Sequence, residues 1–356
     1  MITPYSYSSF LSKFKLGLSL TAISSALLLS GCADKTQPTQ SEEANSNTQN
    51  AQPAKTVAIT QIVEHPSLDD IRRGIVDELA DNGFKEGQNL TVHFQTAQGN
   101  VATAGQIAKQ FVGDKPDAIV AISTPSAQTV VAATTTIPVI YTAVSDPVAA
   151  KLVDTQDVPT QANLTGLSSE LPLEPQLDLI QQIVPTAKTV GYVYSPGEAN
   201  SVALLERLKE ELPKRGMQLL DVPANRSTDI AMATRSLEGR ADVIYTSMDN
   251  NVASAFEAMT GAANELHIPI IASDEFSVKR GATAALGVND YDFGRTTGKM
   301  VYRVLNGEAI TEVKPTVMNK LTLFVSPEHA TAQGTTIPEA VMANAINVDA
   351  ANNQSK

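Results

Sequence analysis

The chain has 356 residues, with 26 Lys and Arg against 38 Asp and Glu and a formal net charge of -12 at pH 7. That balance excludes nucleic acid as a partner, because phosphate binding needs a basic face. One cysteine and four scattered histidines leave no disulfide and no His/Cys metal site, and no cofactor is expected.

The first segment places the protein. Lys13 and Lys15 precede a mainly apolar run, Leu16 to Leu29, which ends in Leu29-Ser30-Gly31-Cys32. A basic start, an apolar stretch and small residues before the cut predict a secretory signal over residues 1–31. The Leu-x-Gly-Cys ending resembles the lipobox of bacterial lipoproteins. That resemblance implies lipidation of Cys32 and a protein anchored in the bacterial cell envelope, on its periplasmic or extracellular face. Residues 32–55 are rich in Gln, Asn, Thr, Ser and Ala, with no aliphatic run. Too little apolar surface is available there to offset the entropy of ordering, so an unfolded tether is expected. Such a leash reaches roughly 25–30 Å on average.

From Thr56 onward, short apolar runs alternate with helical periods. Strands are predicted at 56–60, 90–94, 117–122 and 138–142, with helices at 67–83, 103–112 and 126–134. After Asn163-Leu164-Thr165-Gly166-Leu167 the alternation begins again. Helices are predicted at 177–183, 201–216, 229–237, 252–267 and 292–305, and strands at 189–194, 218–222, 242–246, 269–272 and 283–288. This alternation predicts an α/β fold of right-handed βαβ units, with two doubly wound parallel-sheet lobes joined by three crossovers near Thr165, Val288 and Leu321. Lobe 1 is expected over 56–164 plus 289–320 and lobe 2 over 165–288 plus 321–335, with a flexible tail over 336–356.

In open α/β sheets, ligands bind beyond the carboxyl ends of the strands. The tips after these strands carry Glu64-His65-Pro66, Ser123-Thr124, Ala143-Val144-Ser145-Asp146, Glu198-Ala199-Asn200, Asp249-Asn250 and Ser273-Asp274. Hydroxyls beside exposed helix-start N–H groups suit a carboxylate, and a lone Asp on the facing lobe suits an ammonium group. The pattern fits a small zwitterion such as an amino acid. The same residues also make helix N-caps, so capping and binding both stay open at each tip. Tyr141, Tyr194 and Tyr245, at strand ends, are either packing residues or walls of a side-chain pocket.

The runs Val63-Glu64-His65-Pro66-Ser67-Leu68-Asp69, Ser123-Thr124-Pro125-Ser126-Ala127-Gln128, Tyr141-Thr142-Ala143-Val144-Ser145-Asp146-Pro147-Val148, Asp249-Asn250-Asn251-Val252 and Gly287-Val288-Asn289-Asp290-Tyr291 follow one another in this order. Together they resemble the substrate-binding lipoproteins of tryptophan/tyrosine-type ABC transporters, over about residues 56 to 306. The resemblance implies the type I periplasmic-binding-protein fold and capture of a small solute, an aromatic or other amino acid. It also implies delivery of that solute to an ABC permease served by a separate ATPase subunit. By analogy with amino-acid receptors of this fold, Ser123, Thr124 and Ala143 to Ser145 would hold the carboxylate. Asp249, Asn250 and Asp274 would approach the amine, Glu64 and Asp146 would line the floor, and Tyr194 and Tyr245 would shape the side-chain pocket, with Asn200 alongside. Asn289 departs from the aspartate common in that family, which implies an altered ligand charge preference. Ser123 replaces a smaller residue and adds a donor.

Enzymatic readings lack their motifs: there is no Gly-x-Ser-x-Gly, no Gly-x-Gly-x-x-Gly after the first strand and no Walker sequence. The alternative to transport is a ligand-sensing module read by a membrane signalling partner.

Overall fold

The computed structural model describes residues 53–155, 158–318 and 320–352. The expected signal, Cys32 and nearly all of the expected tether lie outside the described residues. No helix among the described residues is long and apolar enough to cross a membrane.

The chain runs β1 (Lys55–Gln61), α1 (Pro66–Asp81), β2 (Leu90–Thr96), α2 (Val101–Asp114), β3 (Ala118–Ile122), α3 (Thr124–Ala133) and β4 (Val139–Val144). A small hairpin, β5 (Val153–Thr155) and β6 (Val158–Pro159), then leads to β7 (Leu164–Ser168). Next come α4 (Leu173–Ile183), β8 (Thr189–Tyr194), α5 (Ala199–Lys214), β9 (Gln218–Pro223), α6 (Ile230–Arg235), β10 (Val243–Tyr245), α7 (Asn250–Ser254), α8 (Phe256–Leu266), β11 (Ile270–Asp274), α9 (Glu275–Lys279) and β12 (Ala284–Val288). The last part is α10 (Asp290–Leu305), β13 (Thr316–Val317), β14 (Thr322–Val325), α11 (Pro327–Ala332), α12 (Glu339–Met342), β15 (Ile346–Asn347) and α13 (Val348–Asn352).

Beside the two-stranded β5-β6, two large sheets result, ordered β13-β7-β4-β3-β1-β2 and β15-β14-β12-β11-β10-β8-β9. All pairings in the first are parallel; in the second only β12 with β14 is antiparallel. Every residue of β3 is buried, as helices on both faces of a parallel sheet require. α1 shows how the sequence makes such a helix: Leu68, Ile71, Ile75 and Leu79 recur at helical spacing and are buried against the first core. The second sheet carries a separate core on each of its faces.

Three expectations move. The strand around Thr165 pairs with β4, Val139 opposite Leu164 through Thr142 opposite Leu167, so it closes the first sheet instead of opening the second lobe. The reason is fit: a Cβ on Gly166 would stand 2.4 Å from the Tyr141 carbonyl oxygen, so only glycine lets these strands approach. The crossover therefore falls between Ser168 and Leu173. The helix expected at 252–267 is broken at Ala255 into α7 and α8. Residues 336–352 are not a loose tail: β15 pairs with β14, and Ile337 and Val341 are buried in the second core.

A helix pair fixes one edge of the first sheet. α1 packs on α10 at a glycine seam, where a Cβ on Gly74 would lie 2.4 Å from the Tyr291 carbonyl oxygen. Arg295 of α10 pairs with Glu78 and Asp81 of α1, at 2.7 and 2.6 Å. The seam locks the two helix N-termini side by side.

Candidate functional site

A cavity lies between the carboxyl ends of the two sheets. From the first body it is lined by Val63, His65, Ser67, Leu68, Ile71, Ser123, Thr124, Ala143 and Ser169, and from α10 and its approach by Val288, Asp290 and Phe293. The second body adds Thr246 to Asn250, Val252, Ala253, Phe256, Asp274 and Ser277. About 60 Å³ of it is open to the centres of water molecules. Its lining mixes apolar side chains with a few polar groups, as small-molecule sites do.

The backbone is unusual where it meets this hollow. Ser123 has φ 84° and ψ 157°, Ala143 has φ 53° and Met248 has φ 49°. None is glycine, and positive φ at three wall positions is strain concentrated at a site. At Ser123 the strand turns sharply into α3, whose N-terminus receives no side-chain cap. Pro125 offers no N–H there, so the backbone donors of this start are those of Thr124 and Ser126, beside the Ser123 and Thr124 side chains that line the cavity, a setting that favours an anion.

The lining also carries two further carboxyl groups, Asp274 and Asp290. Asp274 caps α9, accepting from Ser277 N at 2.8 Å and from Ser277 Oγ at 2.5 Å. Asp290, in the first turn of α10, is buried, and its Oδ2 completes no hydrogen bond among the described residues. The one side chain that hydrogen-bonds this carboxyl is Ser67, which eases its ionisation. Burial first, and the Asp274 charge second, push the Asp290 carboxyl well above the usual carboxylate range. A carboxylate so placed wants a cation. Apolar side chains of Leu68, Ile71, Val252, Phe256 and Phe293 fill in between.

Of the residues expected from sequence, Ser123, Thr124, Ala143, Asp249, Asn250 and Asp274 meet at this cavity. The Asp249 carboxylate, however, is already saturated. It accepts from Ser195 N, Ser195 Oγ, Ser201 Oγ and Val252 N at 2.7 to 3.0 Å, and so ties two loops of the second body together instead of reaching an amine. Ser145, Asp146, Asn200 and Tyr245 line a separate, smaller pocket with Arg207. Asp146 there caps a turn through Ala149 N at 2.8 Å. Glu64 is exposed and bonded to Gln98 at 2.8 Å, and it lines a second hollow, with Ser195, Glu198 and Asn250, instead of this cavity. Tyr194 stacks on Tyr192 with centroids 5.5 Å apart, away from the cavity. Asn289 caps α10 by accepting from Asp292 N at 2.9 Å and is not a wall residue.

Sequence reasoning placed His65 at a strand tip without giving it a role, and it missed Ser169 and above all Asp290. A signal existed: Asp290 shares the helical face of Phe293, Gly294 and Thr297, and a carboxylate on a buried stripe is an anomaly that asks for a partner. No group of three or more His, Cys, Asp or Glu among the described residues is placed to hold a metal ion.

Residues 56–349 match the profile of the ABC transporter substrate-binding proteins. The chain belongs to this family. It is a solute-binding protein, not an enzyme. It is 36% identical over 317 residues to a tyrosine-binding protein of Clostridioides difficile, covering 89% of this chain and 91% of that one. Among solved structures, a conserved domain protein from Vibrio cholerae is 45% identical with a TM-score of 0.80. A Streptococcus pneumoniae ABC domain in complex with L-Trp is 32% identical with a TM-score of 0.79. A ligand-free, open substrate-binding protein from Clostridium difficile is 38% identical, yet its TM-score is 0.63. Each of these three covers 83% of this chain and 99% of the solved one. These neighbours agree with the tryptophan/tyrosine-type family resemblance, and more distant ones, such as a 5-methylthioribose-binding protein at 15% identity and a TM-score of 0.56, share the type I fold.

Proposed function

We propose that this protein captures a zwitterionic amino acid with an aromatic or other apolar side chain between its two lobes and hands it to an ABC importer. The observation that carries this reading is Asp290: a buried carboxylate with Ser67 as its one hydrogen-bonding side chain, close to the charge of Asp274, lining a cavity that also carries the uncapped start of α3. The ammonium sits against Asp290 and Asp274, and the carboxylate against Ser123 and Thr124. The side chain lies among Leu68, Ile71, Phe256 and Phe293. Anchored at Cys32, the protein works outside the cytoplasm and delivers to a membrane permease whose ATPase is a separate subunit.

Capture by hinge closure is supported by likeness of shape. The chain superposes better on the tryptophan complex than on the open, ligand-free relative, although it is more similar in sequence to the latter. Closure then follows from contacts that only the closed form makes with both lobes.

The test is calorimetry with L-tyrosine, L-tryptophan and the other amino acids, alongside sugars and nucleosides. Asp290→Asn should weaken amino-acid binding by about 2 kcal/mol or more, roughly thirtyfold in Kd. Binding confined to sugars or nucleosides would end the proposal, as would an Asp290→Asn protein with wild-type affinity.

A further inference from the structure

His65 is the N-cap of α1 in the first body, and Arg280 follows α9 in the second. The two side chains meet directly, Arg280 Nη1 lying 2.6 Å from His65 Nε2. The guanidinium is held in place from behind, donating to Glu257 Oε1 and Oε2 of α8 at 2.6 and 2.5 Å and to the Ala253 carbonyl of α7 at 2.8 Å. It is therefore a fixed donor aimed at the other lobe. Arginine has no acceptor to offer, so the imidazole must supply the lone pair. On the other side of the ring, Nδ1 faces Ser67 N–H at 3.3 Å. Both ring nitrogens thus meet donors, while a neutral imidazole carries one lone pair and an imidazolium carries none.

We propose that Arg280 and His65 form a latch across the cleft that holds only while His65 is neutral, so that acidification loosens the closed form and speeds release of the solute. This rests on the reading that a solute is enclosed between the lobes. The charged groups around the ring do not all pull one way. Asp69 of α1, Asp274 at the start of α9 and Glu257 of α8 favour the imidazolium, and Asp290 of α10 shares the cavity. Arg280 and, above all, burial oppose it, and together they hold the imidazole below its ordinary value of 6.5. Opening removes the burial and the guanidinium, so the proton goes to the open form. The closed form is fully favoured above about pH 6.5 and loses up to about tenfold per pH unit below it, until the closed-form titration is passed.

Two measurements on the full chain test the latch. In the protein saturated with the tightest binder among the amino acids, sugars and nucleosides tried by calorimetry, NMR titration of the His65 ring should fall below 6.5, and Arg280→Gln should move it upward. A titration that Arg280→Gln leaves unchanged overturns the latch, whatever the solute. The chain has no tryptophan, so the fluorescence of L-tryptophan itself reports release. Wild-type dissociation should accelerate severalfold between pH 6.5 and 5.5. His65→Gln should release faster at pH 7.5 and lose most of that acceleration, and any slope left in it belongs to Asp290. A His65→Gln curve parallel to wild type overturns the proposal. Failure of both L-tryptophan and L-tyrosine to bind at any pH would count against the amino-acid reading, with the latch still judged by the ring titration.

Discussion

Gly294 of α10 lies so close to Ile71 of α1 that a Cβ on the glycine would stand 2.1 Å from the Ile71 carbonyl oxygen. The same seam presents His65 and Ser67 from α1 and Asp290 and Phe293 from α10 to one cavity, so helix packing sets the geometry of the site. Gly294→Ala must push the helices apart. It should destabilise the fold by about 1–3 kcal/mol, lowering Tm by several degrees, and weaken ligand binding beyond what the loss of stability explains. A variant with wild-type Tm and Kd would show that the seam yields without cost.

Asp290 should cost the empty protein stability. Its carboxyl is raised in the fold, so its contribution is complete below the ordinary carboxylate value near 3.8 and is lost as pH rises through the folded-state value. Ligand-free Asp290→Asn should therefore melt higher than wild type at pH 7, while gaining less from added ligand. A lower melting temperature in the ligand-free variant would contradict an uncompensated charge at this position.

Ser123 occupies a backbone region that glycine alone enters cheaply. Relief of about 1–3 kcal/mol of strain exceeds the roughly 0.5–1 kcal/mol that glycine's freedom costs in the unfolded chain. Ser123→Gly should raise Tm by about 2–4 °C. A drop instead would mean that the serine hydroxyl, 3.4 Å from Ser126 Oγ, holds more than the backbone geometry costs.

Glu198 reports on the second body. Its carboxylate is buried, accepting from Asn250 Nδ2 at 2.6 Å, and burial together with the neighbouring Asp249 raises it to about 8. Stability from the protonated form is complete below pH 4.5 and is lost as pH rises towards 8. Glu198→Gln should flatten the Tm profile over that range and melt above wild type at pH 9. Parallel profiles would show that Glu198 does not titrate there.

The strands and helices were legible because their causes are local. The fully apolar run of β3 and the 3.6-residue period of α1 each point to one buried environment. Ser123, Thr124 and Asp274 were legible for the same reason: a parallel strand that ends before a helix delivers its next residues to the cleft. The crossover near Thr165 was not, because nothing in Leu164-Thr165-Gly166 says which sheet will take the strand. That depended on Gly166 fitting against Tyr141 of β4.

By itself, then, the sequence determined the alternating α/β architecture, the family and the edge along which a ligand would be met, all consequences of short-range pattern. Only the tertiary structure decided that Asp249 is consumed by four hydrogen bonds while Asp290 keeps an oxygen unpaired, and that His65 meets Arg280 from 215 residues away. Those outcomes turn on which donors long-range packing brings within about 3 Å of each oxygen and nitrogen, and no local run of residues encodes that distance.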